Sequence, residues 1–207
     1  MLESEPAYAA ALFGDRLELA RAFTADLAQH GEERGLVGPL ELERLWSRHV
    51  VNSALLAPLL VPGRVGDVGS GAGLPGLVLA IARPDAHLVL IEPMERRTDW
   101  LSEEAERLGL RNVTVLRGRA EDVAPEPRLD QVTARAVSAL SKLIPLCVPL
   151  LRPGGELVLL KGERVQQEVE AADKAIRKAR LRDAEVLVLG EGIVPEATRV
   201  FRARLAD

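Results

Sequence analysis

Cysteine is nearly missing from this 207-residue chain, and the single Cys147 excludes an internal disulfide. It stands in LIPLCVPLL, an apolar stretch that reads as the setting of a buried thiol rather than of a nucleophile. Histidine is sparse too: His30, His49 and His87 are scattered, so no zinc-ligand spacing exists and no metal is expected. Aromatic residues make up only 3% of the chain, which disfavours an enclosed apolar pocket for a small-molecule substrate. No apolar run approaches the roughly 20 residues that a membrane-spanning helix needs. The opening MLESEPAYAA carries acids where a secretory signal would carry bases, so a cytoplasmic location is expected, with no membrane partner. A net charge of −4 argues against a protein wrapped everywhere in nucleic acid, while leaving room for a local basic face.

What remains is an ordinary globular composition, 47% apolar and 28% charged, in a length that suits one domain with a modest extension. Its most distinctive stretch is RVGDVGSGAGLPG, residues 64–76, where an apolar strand runs into glycines at 69, 71, 73 and 76. Glycine lets the backbone turn sharply there and lets a ligand lie against bare peptide N–H groups. Gly71, Gly73 and Gly76 alone also satisfy G-x-G-x-x-G, the dinucleotide fingerprint. Asp67, two residues before Gly69, separates the readings, since an acid can pair with an ammonium group but would repel a pyrophosphate. D-x-G-x-G-x-G resembles the first motif of the S-adenosylmethionine-dependent methyltransferases.

Around this loop the periodicity is regular. Residues 5–30 place Tyr8, Leu12, Phe13, Leu17, Ala20, Phe23 and Leu27 on one helical stripe, closed by Gly31 and a glycine-rich loop to Pro39. A second helical patch runs from 41 until Pro62-Gly63, and residues 1–62 are expected to form an N-terminal helical cap. Residues 63–207 then alternate. Strands are predicted at 65–68, 87–91, 112–116, 130–136, 155–161, 186–189 and 198–203, with helices at 77–82, 95–108, 140–151 and 163–180. Such alternation predicts an α/β, Rossmann-like, mostly parallel sheet, one compact unit with its cap. The last two strands lack a helix between them and should pair antiparallel, giving a seven-stranded sheet with a reversed final hairpin. That arrangement resembles the class I S-adenosylmethionine-dependent methyltransferase fold.

Ligands in such sheets bind beyond the carboxyl ends of the strands. Strand two ends at Glu92, 23 residues after Gly69, near the spacing at which an acid holds a ribose hydroxyl. Strand three leads into Ala120-Glu121-Asp122, which could present an N–H and a carboxylate to an adenine, or simply start a helix. Strand four ends in TARAVSAL, without the Asn or Asp followed by Pro-Pro and an aromatic that methylation of exocyclic amines uses. Methylation at a pyrimidine carbon would need a thiol, and Cys147 is in apolar sequence. What strand four does offer is Arg135, a cation beside the donor pocket. A ring nitrogen such as guanine N7 carries an in-plane lone pair and needs alignment rather than a general base.

Five stretches together resemble the glucose-inhibited division protein B family, guanine-N7 methyltransferases of small-subunit (16S) ribosomal RNA. They are WSRHVVNSALLAPLL (46–60), VGDVGSGAGLPGLVLAIARPDAHLVLIEP (65–93), RAED (119–122), TARAVSAL (133–140) and LLKG (159–162). The resemblance implies S-adenosyl-L-methionine as cofactor, with Gly69 and Leu74 lining its site; the glycine loop and the end of strand two add Asp67, Gly71, Gly73 and Glu92 to it. It further implies that Ala120 and Glu121 hold the adenosine part and that Arg135 completes the pocket as the catalytic residue. By the same analogy Arg48, His49, Asn52 and Ser53 lie near the donor or RNA entrance, and Asn52 stands where many members carry an acid. Lys142 and Lys161 could meet phosphates of the RNA or ribosomal particle. On the cap Arg16, Arg21, Arg34, Arg44 and Arg48 lie among acids. A monomeric enzyme is expected. The alternatives are a ribosome-associated RNA-binding module without turnover, a small-molecule methyltransferase and, more remotely, a nicotinamide enzyme.

Overall fold

The computed structural model describes residues 2–207; Met1, the first residue of the expected cap, lies outside them. Seven strands form one sheet: β1 (Arg64–Val68), β2 (His87–Glu92), β3 (Val113–Arg117), β4 (Leu129–Ala134), β5 (Leu151–Lys161), β6 (Leu181–Leu189) and β7 (Thr198–Leu205). Their order in space is β3-β2-β1-β4-β5-β7-β6. The first five run parallel and β7 is antiparallel to both its neighbours, as the alternating pattern predicts. The chain travels outward from β1 to β3 and then crosses back to β4 on the other side of β1. In an open sheet a crevice forms at such a reversal, beyond the carboxyl ends of the strands.

Side chains alternate between the two faces, so that Leu88 and Leu90 of β2 join one core while Val89 and Ile91 join the other. The first core lies under α1 (Ala9–Phe13), α2 (Leu17–His30), α3 (Asn52–Ala54), α4 (Gly76–Ala82) and α5 (Glu95–Arg107). The second lies under α6 (Leu140–Cys147), α7 (Val165–Ala171) and α8 (Asp173–Lys178). Phe23, Leu27, Leu45 and Trp46, all upstream of β1, pack in one cluster with Val65, Leu77, Leu88 and Leu90. Each large apolar side chain so buried contributes about 1.5–3 kcal/mol, so cap and sheet stabilise one another. Arg83 adds a polar clip, donating to the carbonyls of Ala57 and Leu60 while it pairs with Asp85.

Six elements differ from the periodicity-based expectation. The first helix breaks at Gly14, whose backbone (φ 52, ψ −130) no helix accommodates, and a 3₁₀ turn joins α1 to α2. The second patch is not α-helical at its centre: a 3₁₀ turn (Pro39–Arg44) leads into a π-helix (Leu45–Val51) before α3. The helix expected over 140–151 runs through Pro145 but stops at Cys147, leaving α6 and a 3₁₀ turn (Val148–Leu150) that carries Pro149, which has no N–H to continue the helix. The Arg-Pro-Gly-Gly segment, expected as a turn before the fifth strand, is an insertion within β5: Leu129 faces Leu151, yet Gln131 already faces Glu156. The helix over 163–180 breaks at Ala172 (φ −94, ψ 1), which is buried, into α7 and α8. β6 also begins earlier than expected, at Leu181, because Arg182, Asp183 and Glu185 are exposed on an edge strand whose charges hide its periodicity.

Candidate active site at the ends of β1, β2 and β4

The glycine loop after β1 is held from all sides. Its Gly69 and Ser70 N–H groups both donate to the Ile91 carbonyl at the end of β2, at 2.9 and 3.2 Å. The Ser70 carbonyl accepts from Gly73 N–H at 2.7 Å, and the Ser70 hydroxyl donates to the Asp67 carbonyl at 2.8 Å. From α5, Trp100 Nε1 donates to the Ala72 carbonyl at 3.1 Å. Gly76 must be glycine, since a Cβ there would lie 2.6 Å from Asp67 Oδ2 and 2.3 Å from Leu90. At Gly71 (φ +54) a Cβ would meet nothing nearer than the Gly69 carbonyl at 3.8 Å, so this turn faces open space.

That space is a cavity of about 490 Å³, lined on the sheet side by Gly69, Gly71, Leu74, Glu92 and Arg135. Glu92 is 2% exposed and sits at the rim with both oxygens engaged: Oε2 accepts from Gly71 N–H and Oε1 from Met94 N–H, each at 3.0 Å. Each carboxylate oxygen retains a further lone pair with which to take a ligand hydroxyl. Arg135, one residue past β4, donates from Nη2 to His49 Nδ1 at 2.9 Å and from Nη1 to the Arg48 carbonyl at 3.4 Å. Burial pulls its proton affinity down to about 10, with the Asp67 charge opposing, so it stays cationic at neutral pH. A second hollow of about 480 Å³ opens between α6 and α8, but its lining is apolar residues, Ser141 and two lysines and includes no acid. Chemistry, rather than size, separates the two.

Several expected site residues do not line the cavity. Asp67, expected to meet an ammonium group, is fully buried beneath the loop, where its Oδ2 accepts from Gly76 N–H at 3.0 Å. Burial pushes its carboxyl up to about 7, against the pull of that N–H and of Arg135. Gly73 (φ +90) lies against Leu77 at the start of α4 rather than against the cavity. Ala120 packs into the second core and Glu121 is exposed, although the Gly118 N–H bonds the Glu92 carbonyl at 3.1 Å and keeps the segment beside the rim. Lys161 is tied inward, donating to the Ser138 carbonyl at 2.9 Å and pairing with Glu168 at 2.7 Å. Lys142 and Arg48 are exposed, Ser53 is buried, and Asn52 donates to the Thr198 hydroxyl on β7 at 2.5 Å. Cys147 is buried as expected, its thiol pushed up to about 12. Among the described residues no cluster of His, Cys, Asp and Glu could hold a metal.

The far wall comes from residues with no catalytic signature. Leu36, Val37 and Gly38, with Glu41 and His49, close the cavity from the cap, and Met94 and Arg97 complete its rim. Arg34 anchors this loop by lying over the Trp100 ring, 5.4 Å from its centroid, and by pairing with Glu103 at 2.6 Å. Apart from His49, expected near the donor entrance, the one trace of this wall in the sequence is the apolar pair set between glycines in Gly35-Leu-Val-Gly38.

Residues 16–196 match the family described as GidB, rRNA small subunit methyltransferase G. The chain belongs to the rRNA small subunit methyltransferase G family. A ribosomal RNA small subunit methyltransferase G from Clavibacter michiganensis subsp. michiganensis is 67% identical over 206 residues, covering 100% of this chain and 98% of that one. The protein of that name from Mycolicibacterium smegmatis is 47% identical, over 96% of this chain and 86% of its own. Solved structures show the fold independently. The O-methyltransferase TomG of Streptomyces achromogenes, in complex with SAM, superposes with a TM-score of 0.57 at 16% identity, over 89% of this chain and 90% of its own. The tRNA (m1A58) methyltransferase TrmI of Aquifex aeolicus gives 0.58 at 17%, over 76% and 69%. At these identities the likeness establishes the class I methyltransferase fold. In this member of the methyltransferase G family, that fold sets a bare peptide turn, a rim acid and a half-buried cation around a single cavity.

Proposed function

We propose that this protein transfers the methyl group of S-adenosylmethionine to N7 of a guanine in small-subunit ribosomal RNA. Family membership supports the substrate class, and the observation that carries the chemistry is the meeting of Gly71, Glu92 and Arg135 on one cavity. The donor suits these residues: at Gly71 any Cβ would enter the space, and Glu92 offers a carboxylate at the rim to ribose hydroxyls. When bound, S-adenosylmethionine supplies an electrophilic methyl on a sulfonium.

Gly69, Gly71 and Leu74 form the floor against which the donor lies. Asp67 acts from below, fixing the start of α4 through Gly76 and so the shape of the turn. Arg135 is the catalytic cation and orients the guanine at the mouth of the cavity. No general base is required, because N7 presents its own lone pair. Ala120 and Glu121, beside the rim, would lie nearest the adenosine part of the donor, and Arg48 and Lys142 would meet RNA phosphate. Residues 1–62 serve as the cap that faces RNA and residues 63–207 as the catalytic domain of one compact, monomeric, cytoplasmic unit. Among the described residues no helix is long and apolar enough to cross a membrane.

The test compares ribosomal RNA from cells with and without the gene for aniline-sensitive cleavage, which marks N7-methylated guanine. Loss of one site, restored by the parent gene and not by Arg135→Ala, is expected. An unchanged pattern defeats the proposal. Calorimetry with S-adenosylmethionine, and methyl transfer to intact small subunits against naked RNA, separates an enzyme of particles from one of free RNA. Tight RNA binding without donor affinity would instead favour a binding module without turnover.

A further inference from the structure

His49 touches both the cavity and the cap, and its two ring nitrogens face different partners. Nδ1 lies 2.9 Å from Arg135 Nη2, and Nε2 lies 2.5 Å from Glu41 Oε2. A guanidinium has only donors, so the Arg135 contact requires a lone pair on Nδ1. The ring proton therefore sits on Nε2, where a carboxylate waits to accept it. The opposite tautomer would set two N–H donors against each other and leave Glu41 facing a lone pair. The neighbours fix the tautomer.

Glu41 is itself held as an anion. Its Oε1 accepts from Arg44 Nη2 at 2.6 Å, and that contact, followed by the one to His49, keeps its carboxyl below the usual range. Arg135 needs this support, because it is partly withdrawn from water and a guanidinium so placed is costly without acceptors. Both of its acceptors, the His49 ring and the Arg48 carbonyl, lie on the π-helix Leu45–Val51. Asn52, at the end of that π-helix, is pinned to β7 through Thr198. The cap element thus has a defined seat on the sheet.

We propose that His49 is a positioning residue for methyl transfer: with its Nε2–H on Glu41 and its Nδ1 lone pair on Arg135, it fixes the Arg135 guanidinium at the cavity. The proposal rests on the reading of Arg135 as the cation of the transfer site. The charged groups around the ring are Arg135 from the end of β4, Glu41 and Arg44 from the 3₁₀ turn, and Arg48 from its own π-helix. Burial, Arg135 and Arg48 lower the proton affinity of His49 further than Glu41 raises it, so the ring is neutral at neutral pH. Protonation on acidification fills the Nδ1 lone pair and sets an imidazolium against a guanidinium. The contact is lost and Arg135 leaves its place, which gives the reaction an acid limb belonging to His49.

The test uses the full-length enzyme with small ribosomal subunits and S-adenosylmethionine, and three substitutions. His49→Gln can still accept from Arg135 and donate to Glu41; His49→Phe keeps volume without either; Arg135→Ala removes the group being positioned. A misplaced catalytic group costs on the order of tenfold to a hundredfold, so His49→Phe should lower kcat by that factor while His49→Gln stays within about threefold of the parent. The parent should lose activity on an acid limb whose midpoint lies below the ordinary histidine value, and His49→Gln should lack that limb. Independently of activity, nitrogen-15 histidine spectra of the free enzyme should show the His49 ring as the Nε2–H tautomer, assigned by its absence in His49→Gln. Parental kcat in His49→Phe, equal impairment of His49→Gln and His49→Phe, or an Nδ1–H tautomer would each overturn the relay. Should His49→Phe not fold, the His49→Gln pH profile and the tautomer decide. Full activity in Arg135→Ala would instead defeat the reading of Arg135 itself, whereas an inactive Arg135→Ala beside a fully active His49→Phe defeats the relay alone.

Discussion

Asp67 has no exposed surface, and its two oxygens are in unequal surroundings. Oδ2 accepts the Gly76 N–H, while Oδ1 is buried with no hydrogen-bond partner. Burial raises the carboxyl from 3.8 to about 7, so the folded protein holds a proton that the unfolded chain has released across that range. Stability from this group is present below the unfolded value and is lost as pH rises toward the folded one. A difference of about three units corresponds to roughly 4 kcal/mol. In Asp67→Asn the side-chain carbonyl can still accept from Gly76, the amide is not titratable, and any cost of burying it is constant with pH. Measured by urea denaturation, the variant should therefore gain on the parent by a few kcal/mol between about pH 4 and pH 7; a constant difference would show that Asp67 is ionised throughout. Gly71 makes the complementary case, since its position is free of contacts and its φ is positive. Gly71→Val puts a branched side chain into the cavity in a backbone state that costs about 1–2 kcal/mol. Donor affinity by calorimetry should fall beyond detection, with thermal stability only modestly reduced.

At the scale of elements, the glycine loop depends on α5. Trp100 holds the Ala72 carbonyl with its indole N–H and carries Arg34 of the cap loop on its face, so one side chain braces both walls of the cavity. Trp100→Phe keeps most of the buried ring but leaves that carbonyl unpaired, a loss of about 1–3 kcal/mol. Donor affinity should weaken with it; full affinity in a destabilised variant would mean that the loop keeps its shape unaided. The strands and the loop motif were legible in the sequence because alternation and glycine spacing are local. That Glu92 and Arg135 would line one cavity was legible because strand ends in such a sheet share one rim. Asp67 was assigned to the wrong side of the turn, since residue type and spacing cannot tell whether a carboxyl points up at a ligand or down at a helix start. The cap wall was missed for the opposite reason: Leu36, Val37 and Glu41 acquire their place only when the cap folds onto the sheet. The π-helix has no periodicity of its own, for Trp46, Val50 and Val51 read equally well on an α-helical face.

Across the whole molecule, a chain of net charge −4 must meet a polyanionic substrate, and the cap arginines are mostly occupied. Arg21 pairs with Glu5 and Glu18, Arg34 with Glu103, and Arg44 with Glu41. Exposed pairs of this kind contribute about 1 kcal/mol or less to stability. They also cancel charge that RNA would otherwise feel. Arg48 is exposed beside His49, on the π-helix that borders the cavity. Attraction to phosphate then comes from a few cations near the site rather than from the surface as a whole. Each phosphate contact contributes about one unit to the slope of log affinity against log salt, so Arg48→Ala should reduce that slope by about one and weaken binding of small subunits. Arg21→Ala should leave the slope unchanged, because its charge is already matched within the cap. Equal effects of the two substitutions in a filter-binding series would mean that RNA senses the cap broadly and that the contact is not confined to the mouth of the cavity.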